Sequence, residues 1–275
     1  MITTDYHMHS FFSGDCDIPT EEMIQACIKN KLTEICFTEH NDPEYPCVIP
    51  GEEDMFLLDT EAYRKEYLRL REKFGNALHF RFGVELGVQP GLYEMLDQYL
   101  NSWPFDFVIA SSHACQKKDP YYPYYYDGIT IKQGILYYFE EILENVSHFK
   151  NYDVYGHLDY LVRYIPKDRK NEYTYRFEDF KEVIEAILKT IIADGKGIEL
   201  NTGGFHKEYG NFNPCPEIIK FYRELGGEII TVGADAHKPG DVGCAFDKAE
   251  LLLKEAGFKC YCSFENRKMI THKLI

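Results

Sequence analysis

Residues 2–9 read ITTDYHMH, a short β-strand pattern that ends in two histidines spaced two residues apart. Side chains two apart on a strand point to the same face, so His7 and His9 are placed to bind one ion together. No glycine-rich phosphate-binding fingerprint follows this strand, which disfavours a dinucleotide-binding Rossmann fold. The segment therefore predicts a strand that carries chemistry at its carboxyl end.

Strand and helix patterns alternate outward from this segment. Strand-like runs cover residues 2–7, 32–38, 78–84, 105–110, 153–155, 197–200 and 228–232, and helical patterns lie near residues 20–30, 60–74, 90–101, 130–146, 177–194, 215–225 and 246–256. Seven such units predict a parallel sheet, and closure into a TIM-like (β/α)7 barrel is favoured over an open doubly wound sheet. No break in composition marks a linker, so we expect an α/β fold with a single domain over residues 1–275.

Local signals mark where several of these elements begin and end. Thr60 and Thr130 are predicted N-caps, and Gly75 and Gly195 follow apolar runs as helix stops. Residues 260–262, Cys-Tyr-Cys, are predicted to form a last strand rather than a pair of metal ligands.

Composition excludes several classes of protein. The chain is 45% hydrophobic and contains no run of roughly 18 apolar residues, so no membrane span is expected. Asp and Glu number 45 against 30 Lys and Arg, and the resulting charge of −15 disfavours a nucleic-acid partner. The nine scattered cysteines suggest no disulfide framework, and no signal peptide is recognised, so we expect a cytoplasmic protein with free thiols.

Candidate metal ligands concentrate at the carboxyl ends of the predicted strands, which meet at one rim in a parallel barrel. They are His7, His9, His40, Glu85, His113, His157, Asp235 and His237. A single strand histidine is most often an ordinary core or surface residue, and that interpretation is kept for His79, His148, His272 and, less firmly, His206. Six histidines with two acids at one rim indicate instead a multinuclear site for zinc, manganese or iron, which is typical of phosphoryl hydrolysis.

The same residues resemble the motifs of the polymerase and histidinol phosphatase (PHP) superfamily. The matching pieces are, in chain order, His7-Met8-His9-Ser10, Thr38-Glu39-His40, Glu85, Ser112-His113, Gly156-His157 and Asp235-Ala236-His237. They extend over nearly the whole chain. The resemblance implies a distorted seven-stranded (β/α) barrel, in agreement with the number of units counted above.

The closer resemblance is to the histidinol-phosphatase branch of that superfamily. It is carried by residues 5–10 with Ser13-Gly14-Asp15, by Gly156-His157-Leu158-Asp159, and by Glu199-Leu200-Asn201-Thr202 leading to Lys207. Three positions depart from the usual pattern of the branch: Glu39 stands where Asp is frequent, Ala234 where Ser is common, and His206 where Arg is frequent. Glu39 faces away from His40 on a strand, so it need not touch a metal.

The branch resemblance implies three divalent metal ions, which we expect to be zinc, manganese or iron. The first would be held by His7, His9, Glu85 and Asp235, the second by Glu85, His113 and His157, and the third by Asp17, His40 and His237. Asp15 lies two residues from Asp17, and the sequence leaves open which of the two is the loop ligand.

The implied reaction is hydrolysis of a small phosphomonoester, L-histidinol phosphate, to L-histidinol and phosphate in histidine biosynthesis, by attack of a metal-bridging hydroxide. The catalytic candidates are Asp235, His237, Arg163 and His206, and the substrate-binding candidates are Arg163, Asn201, Lys207 and Tyr126. Arg163 is expected to clamp the phosphate, although a surface ion pair suits it equally well. The tyrosine-rich run at 121–126 is expected to stack on the substrate's imidazole ring, although a packed lid or subunit contact is equally compatible with it.

Three other functions are alternatives to this one. A phosphatase of the same superfamily acting on another small phosphomonoester, or on phosphotyrosine, would share every motif. A metal-dependent nuclease is disfavoured by the acidic charge. A non-catalytic metal-binding scaffold would require lost ligands, and none is missing from the motifs. The native metals, the general acid and the oligomeric state are not decided by the sequence.

Overall fold

Seven parallel strands form the centre of the molecule in the computed structural model, which describes residues 1–274. They are β1 (Thr4–Asp5), β2 (Glu34–Asn41), β3 (His79–Gly87), β4 (Phe107–Ser111), β5 (Val154–Tyr155), β6 (Gly197–Asn201) and β7 (Ile230–Gly233). Each strand pairs with the next along the chain. The α-helices between and after them are α1 (Thr20–Lys29), α2 (Thr60–Phe74), α3 (Tyr93–Asn101), α4 (Ile131–His148), α5 (Lys181–Ala193), α6 (Pro216–Glu224) and α7 (Phe246–Glu255).

The ring of strands is nearly closed, because the segments of β1 and β7 are joined by backbone hydrogen bonds. Tyr6 N donates to Val232 O at 3.1 Å, and Asp235 N donates to His7 O at 2.7 Å. These bonds place the residues that follow β1 beside those that follow β7. The predicted (β/α)7 barrel is confirmed.

Alternation along β4 links the packed interior of the barrel to the carboxyl rim. Phe107 and Ile109 belong to a small buried apolar cluster inside the ring. Two residues further on the same face, Ser111 donates from Oγ to Glu85 Oε1 at 2.7 Å. The larger apolar core fills the space between strands and helices, and the one-sided stripe of α5 contributes Ile184, Ile187, Leu188 and Ile191 to it.

An antiparallel hairpin of β8 (Cys260–Glu265) and β9 (Lys268–Lys273) covers the amino end of the barrel. The ring of Phe264 lies 5.2 Å from that of Phe107, and Tyr6 Oη donates to Phe264 O at 3.0 Å. The strand predicted at residues 260–262 is therefore present, but its partner β9 carries no clear apolar alternation and was not predicted.

The helix boundaries follow local capping chemistry. Thr130 accepts from Gln133 N at 3.2 Å and forms a capping box, as predicted for the start of α4. The prediction that Thr60 caps α2 is wrong, because the Asp59 carboxylate accepts from Ala62 N at 3.0 Å and Thr60 is the first helical residue. All nine cysteines are free thiols. Over residues 1–274, no helix has both the length and the apolar character needed to cross a bilayer.

Candidate metal centre

The carboxyl ends of the strands bring the predicted ligands together. His40 and Glu85 lie within β2 and β3, whereas the others occupy the segments that follow β1, β4, β5 and β7, namely His7, His9, His113, His157, Asp235 and His237. His7, His9 and Glu85 have no exposed surface. The parallel sheet therefore does what the sequence predicts: it places imidazoles and carboxylates from distant segments in one buried cluster.

Glu85 stands at the centre of this cluster. Its Oε2 lies 3.0 Å from His7 Nε2 and 3.2 Å from His40 Nδ1, and its Oε1 lies 2.9 Å from His157 Nε2 and 3.1 Å from His113 Nε2. One carboxylate thus faces imidazoles on both of its oxygens. This geometry suits a ligand shared between two neighbouring ions.

Asp235 approaches the cluster from the opposite side of the ring. Its Oδ1 lies 3.8 Å from His9 Nε2 and 4.0 Å from His7 Nε2. The φ of Asp235 is +52°, in the left-handed region that residues other than glycine rarely adopt. Such a conformation persists only where surrounding contacts hold it, as the bond from Asp235 N to His7 O does here.

The loop after β1 supplies Asp15, not Asp17, to the third group of residues. Asp15 Oδ2 lies 3.1 Å from His237 Nε2 and 3.7 Å from His40 Nε2. Asp17 is exposed and, within residues 1–274, forms no ion pair with either histidine. The prediction of Asp17 is corrected on this point, because the turn at residues 11–15 aims the earlier carboxylate at the cluster.

Outer partners fix the orientation of several rings. His7 Nδ1 lies 2.6 Å from Glu199 Oε1, His113 Nδ1 lies 2.6 Å from Asp42 Oδ2, and His9 Nδ1 lies 3.0 Å from Ser13 Oγ. A carboxylate accepts a hydrogen bond from the ring nitrogen Nδ1, which directs Nε2 of His7 and His113 into the cluster. These pairs are typical supports of metal-ligating histidines.

Gly233, at the end of β7, leaves room for the side chain of His7. A Cβ at this position would lie 2.2 Å from His7 Cβ and 2.6 Å from Glu199 Oε1. Any larger residue would displace His7 or its supporting carboxylate. The glycine is therefore required by close approach of two segments and not by an unusual φ.

The pKa values of two carboxylates and two histidines are shifted in the direction that favours cation binding, whereas adjacent carboxylates raise the pKa values of His7, His113 and His237, so a cation has to displace protons from those rings. Burial alone would raise the pKa values of Glu85 and Asp235, but nearby imidazoles, joined for Asp235 by Lys207 and Arg163, hold both well below their usual range. Burial lowers the pKa values of His9 and His157, and adjacent histidines lower that of His9 further. Ionised carboxylates and neutral imidazoles are the forms that ligate metals.

Unpaired polar atoms show that these residues suit a metal ion. Asp42 Oδ1 and His157 Nδ1 are buried and have no hydrogen-bond partner within residues 1–274, and His40 Nδ1 and His237 Nε2 face only carboxylate oxygens, at 3.2 and 3.1 Å. Four groups of three ligand atoms lie close enough to share an ion, and they draw on His7, His9, His40, Asp42, Glu85, His113, His157 and His237. A set of nitrogen and oxygen donors without cysteine fits zinc, manganese or iron.

Comparison with known proteins agrees with this geometry. The model of the PHP domain matches residues 5–203. This chain belongs to the PHP-domain family. It is 32% identical to the histidinol-phosphatase of Lactococcus lactis subsp. lactis, over 98% of this chain and 97% of that one. It is 31% identical to a probable histidinol-phosphatase of Clostridium acetobutylicum, over 96% of this chain and 98% of that one.

A solved PHP structure resembles the whole molecule. The crystal structure of histidinol phosphate phosphatase from Lactococcus lactis, described as complexed with zinc, L-histidinol and phosphate, superimposes with a TM-score of 0.87 at 31% identity. The match covers 98% of each chain. The barrel and the placement of its elements are thus those of a PHP enzyme.

A cavity of about 320 Å³ opens onto the cluster around Glu85. Its lining combines cluster residues with a wall of aromatic side chains: Tyr45, Phe56, Tyr121, Tyr122, Tyr160 and Tyr164. Lys207 is the one Lys or Arg in its lining over the described chain, and Lys207 Nζ lies 3.5 Å from Asp235 Oδ2. Of the four residues predicted to bind substrate, only Lys207 lines this cavity.

Arg163, predicted to clamp phosphate, is instead engaged by the protein. Its Nη1 donates to Asp235 Oδ2 at 3.0 Å, its Nη2 donates to Asn201 Oδ1 at 2.7 Å, and its Nε donates to Asn213. The buried guanidinium thus orients Asp235 from behind, and Asn201 serves it as a partner. Neither residue lines the cavity.

His206 and Tyr126 also lie outside the cavity. His206 Nε2 donates to Ala234 O at 2.9 Å, and its Nδ1 lies 3.4 Å from Asp241 Oδ2, so it holds the segment that carries Asp235. Tyr126 is fully buried under α4, where its ring packs edge-on against Tyr125. The neighbouring Tyr121 and Tyr122 line the cavity in its place.

Asp42 and Glu199 were absent from the predicted site. Asp42 is two residues beyond His40, so the same alternation that pairs His7 with His9 is the signal that could have identified it. Glu199 lies within the predicted strand at residues 197–200, and strand geometry alone gives it no role. Its contact with His7 joins residues 192 positions apart, which sequence spacing does not reveal.

Proposed function

We propose that this chain is a metal-dependent phosphomonoester hydrolase that converts L-histidinol phosphate and water to L-histidinol and phosphate. The observation that carries the proposal is the cluster around Glu85, which unites buried imidazoles and carboxylates at the base of one cavity. Full-length similarity to histidinol-phosphatases, one of them solved with zinc, L-histidinol and phosphate, supports the choice of substrate.

The chain's residues would hold three divalent ions. His7, His9, Glu85 and Asp235 form the first set, Glu85, His113 and His157 the second, and Asp15, His40 and His237 the third. Zinc, manganese and iron all suit these donors. When bound, such ions supply charge stabilisation for phosphoryl oxygens and lower the pKa of a coordinated water to about 7.

The protein residues prepare the site for this chemistry. Glu199 and Asp42 lie at Nδ1 of His7 and His113 and so fix the ring orientation that presents Nε2 to a cation. Arg163 fixes the side chain of Asp235 through a bond of 3.0 Å. Both effects keep the ligands in place before substrate arrives, which is the main contribution a protein scaffold makes to phosphoryl transfer.

Lys207 is the residue we assign to the phosphate. It lines the cavity, its side chain is one-third exposed, and it lies beside Asp235. An ammonium on a flexible stem neutralises charge on phosphoryl oxygens without a fixed geometry. The alcohol part of the substrate would then extend toward the aromatic wall.

A substrate panel tests the proposal. The purified protein, loaded with zinc or manganese, is assayed for phosphate release from L-histidinol phosphate, 4-nitrophenyl phosphate and phosphotyrosine. We expect kcat/KM for L-histidinol phosphate to exceed the values for the other two esters by about 100-fold or more. Contacts to the two halves of a substrate add in free energy, so their effects on kcat/KM multiply. Equal rates on all three esters would contradict the choice of substrate.

Two histidine variants separate the site from the remainder of the fold. His237→Ala should abolish turnover on every ester, since it removes a ligand of the third set. His272→Ala, on β9 at the other end of the barrel, is the matched control and should retain activity. Full activity in His237→Ala would refute the assignment of the cluster as the catalytic site.

A further inference from the structure

The cavity has two chemically different halves. One half consists of the metal-ligating cluster and Lys207. The other is aromatic: the Tyr121 and Tyr164 ring centroids are 5.1 Å apart, and those of Tyr160 and Tyr164 are 4.9 Å apart. Across the same cavity, Tyr45 packs edge-on against Phe56 at 4.7 Å. Walls of this kind accommodate flat rings and organic cations.

Asp119 is an acidic residue in the aromatic half. Five acids line the cavity, and four of them (Asp15, Asp42, Glu85 and Asp235) lie against histidines of the cluster. Asp119 instead accepts from the hydroxyl of Tyr45 and from Tyr121 N, the latter at 2.7 Å. It is 4% exposed and, over residues 1–274, it forms no ion pair.

This environment leaves the Asp119 carboxylate without a counter-ion. Burying a carboxylate that lacks a cationic partner is unfavourable, and burial raises the pKa of Asp119 accordingly. Each carboxylate oxygen has two lone-pair sites, and Tyr45 and Tyr121 use one on each. The remaining sites can accept hydrogen bonds from a cation that enters the cavity.

We propose that Asp119 is a specificity-determining residue that binds the primary ammonium group of the substrate's leaving alcohol. The inference rests on the proposed function, because that reaction supplies an alcohol with an ammonium and an aromatic ring. Asp119 takes the ammonium while the tyrosine wall receives the ring. The phosphate end meanwhile lies at the cluster and Lys207. Phosphomonoesters whose alcohol part is neutral or anionic offer no ammonium group to Asp119 and bind poorly.

A cycle of residue and substrate changes tests this assignment. Wild type and Asp119→Asn are compared on L-histidinol phosphate, on its analogue without the amino group, and on phenylalaninol phosphate, which keeps the ammonium and replaces the imidazole. We expect Asp119→Asn to lower kcat/KM about 10- to 100-fold on both ammonium-bearing esters, mainly through KM, as for loss of a charged hydrogen bond. On the analogue without the amino group, the loss should be at most about 3-fold.

Asp127→Asn is the matched control, because Asp127 is an exposed acid eight residues further along the same connection. It should leave the preference for ammonium-bearing esters intact. An equal loss in Asp119→Asn on all three esters would overturn the inference, since it would indicate a role in ordering the loop alone. Sensitivity confined to the imidazole-bearing esters would overturn it too, because Asp119 would then recognise the ring.

These data and the substrate panel separate failure of this inference from failure of the proposed function. A wild-type enzyme that does not prefer L-histidinol phosphate to 4-nitrophenyl phosphate would overturn the proposed function, whereas one that keeps this preference but hydrolyses the ester without the amino group equally well would overturn this inference alone. A wild-type preference for ammonium-bearing esters that persists in Asp119→Asn would overturn the role of Asp119 alone. Thermal unfolding of the variant checks that its loop remains folded, and the ester without the amino group serves as the internal reference for an intact cluster.

Discussion

Strand β3 carries Arg81 near the amino end of the barrel and Glu85 near the carboxyl end, on the same face of the strand. Arg81 is paired within the protein: Nε donates to Glu34 Oε1 at 3.1 Å, and Nη1 donates to Glu265 Oε1 at 2.6 Å. Glu85 is surrounded by histidines, and in the described chain no Lys or Arg forms an ion pair with it.

Two further acids at the amino end also find partners within the protein. Asp106 accepts from Phe82 N at 3.0 Å and from Asn266 N at 2.9 Å. Asp153 accepts from Val108 N at 2.8 Å and from Arg267 Nε at 2.6 Å. At the carboxyl end, His157 Nδ1 has no hydrogen-bond partner in the described chain, and the carboxylates of the cluster face imidazoles. One end therefore neutralises its charges internally, whereas the other leaves them for ions from solution.

Replacing Glu85 should have the largest effect and tests the difference between the two ends of the barrel directly. Glu85→Gln removes the charge that both central sets of ligands share, so we expect kcat/KM to fall by about 1,000-fold or more. Elemental analysis should show a reduced metal content in the same preparation. Glu265→Gln, which alters a carboxylate at the amino end, is the control and should keep both activity and metal. Comparable effects of the two substitutions would remove the distinction between the ends.

Gly233→Ala should have the next largest effect. The added methyl group would press on His7 and Glu199, and a displacement of a ligand by about 1 Å costs roughly 100-fold in rate. Gly240→Ala is the matched control, since a Cβ there meets no atom within 4 Å. Measurement of kcat/KM and of zinc affinity by competition with a chelator checks both. Unaltered zinc affinity in Gly233→Ala would show that the cluster tolerates the shift.

Arg267→Met should have the smallest effect on catalysis and acts at the opposite end. It leaves the buried Asp153 carboxylate without its cation, so the free energy of unfolding should fall by about 1–3 kcal/mol. Catalytic parameters should stay within about twofold of wild type, because the cluster is not contacted. Denaturant unfolding and steady-state kinetics on one preparation give both numbers. A large loss of activity without a loss of stability would contradict the prediction, because it would mean that Arg267 at the amino end affects the cluster at the carboxyl end of the barrel.

The sequence predicted the residues whose position depends on strand geometry alone. His7, His9, His40, Glu85, His113 and His157 follow from alternation and from the meeting of strand ends in a barrel. It could not choose between Asp15 and Asp17, because the path of a loop depends on contacts such as Ser13 Oγ with Glu39 Oε2 at 2.6 Å.

Long side chains on loops were the other source of error. Arg163 is a reasonable phosphate ligand by residue type, but Asp235, Asn201 and Asn213 take its donors in the folded protein. Within the tyrosine run, burial beneath α4 removes Tyr126 from the cavity and leaves Tyr121 exposed. Such outcomes depend on tertiary contacts between residues that are far apart in the chain. Local sequence patterns do not reveal those contacts.

The terminal hairpin has a consequence for synthesis in the cell. Tyr6 and Phe264 are separated by 258 residues, yet their contact seals the base of the barrel. A ribosome must therefore deliver nearly all of the chain before that base closes, and Phe107 and its neighbours stay accessible to chaperones until then. Long-range closure of this kind slows folding, so we expect the base of the barrel to close only after residue 264 has been synthesised.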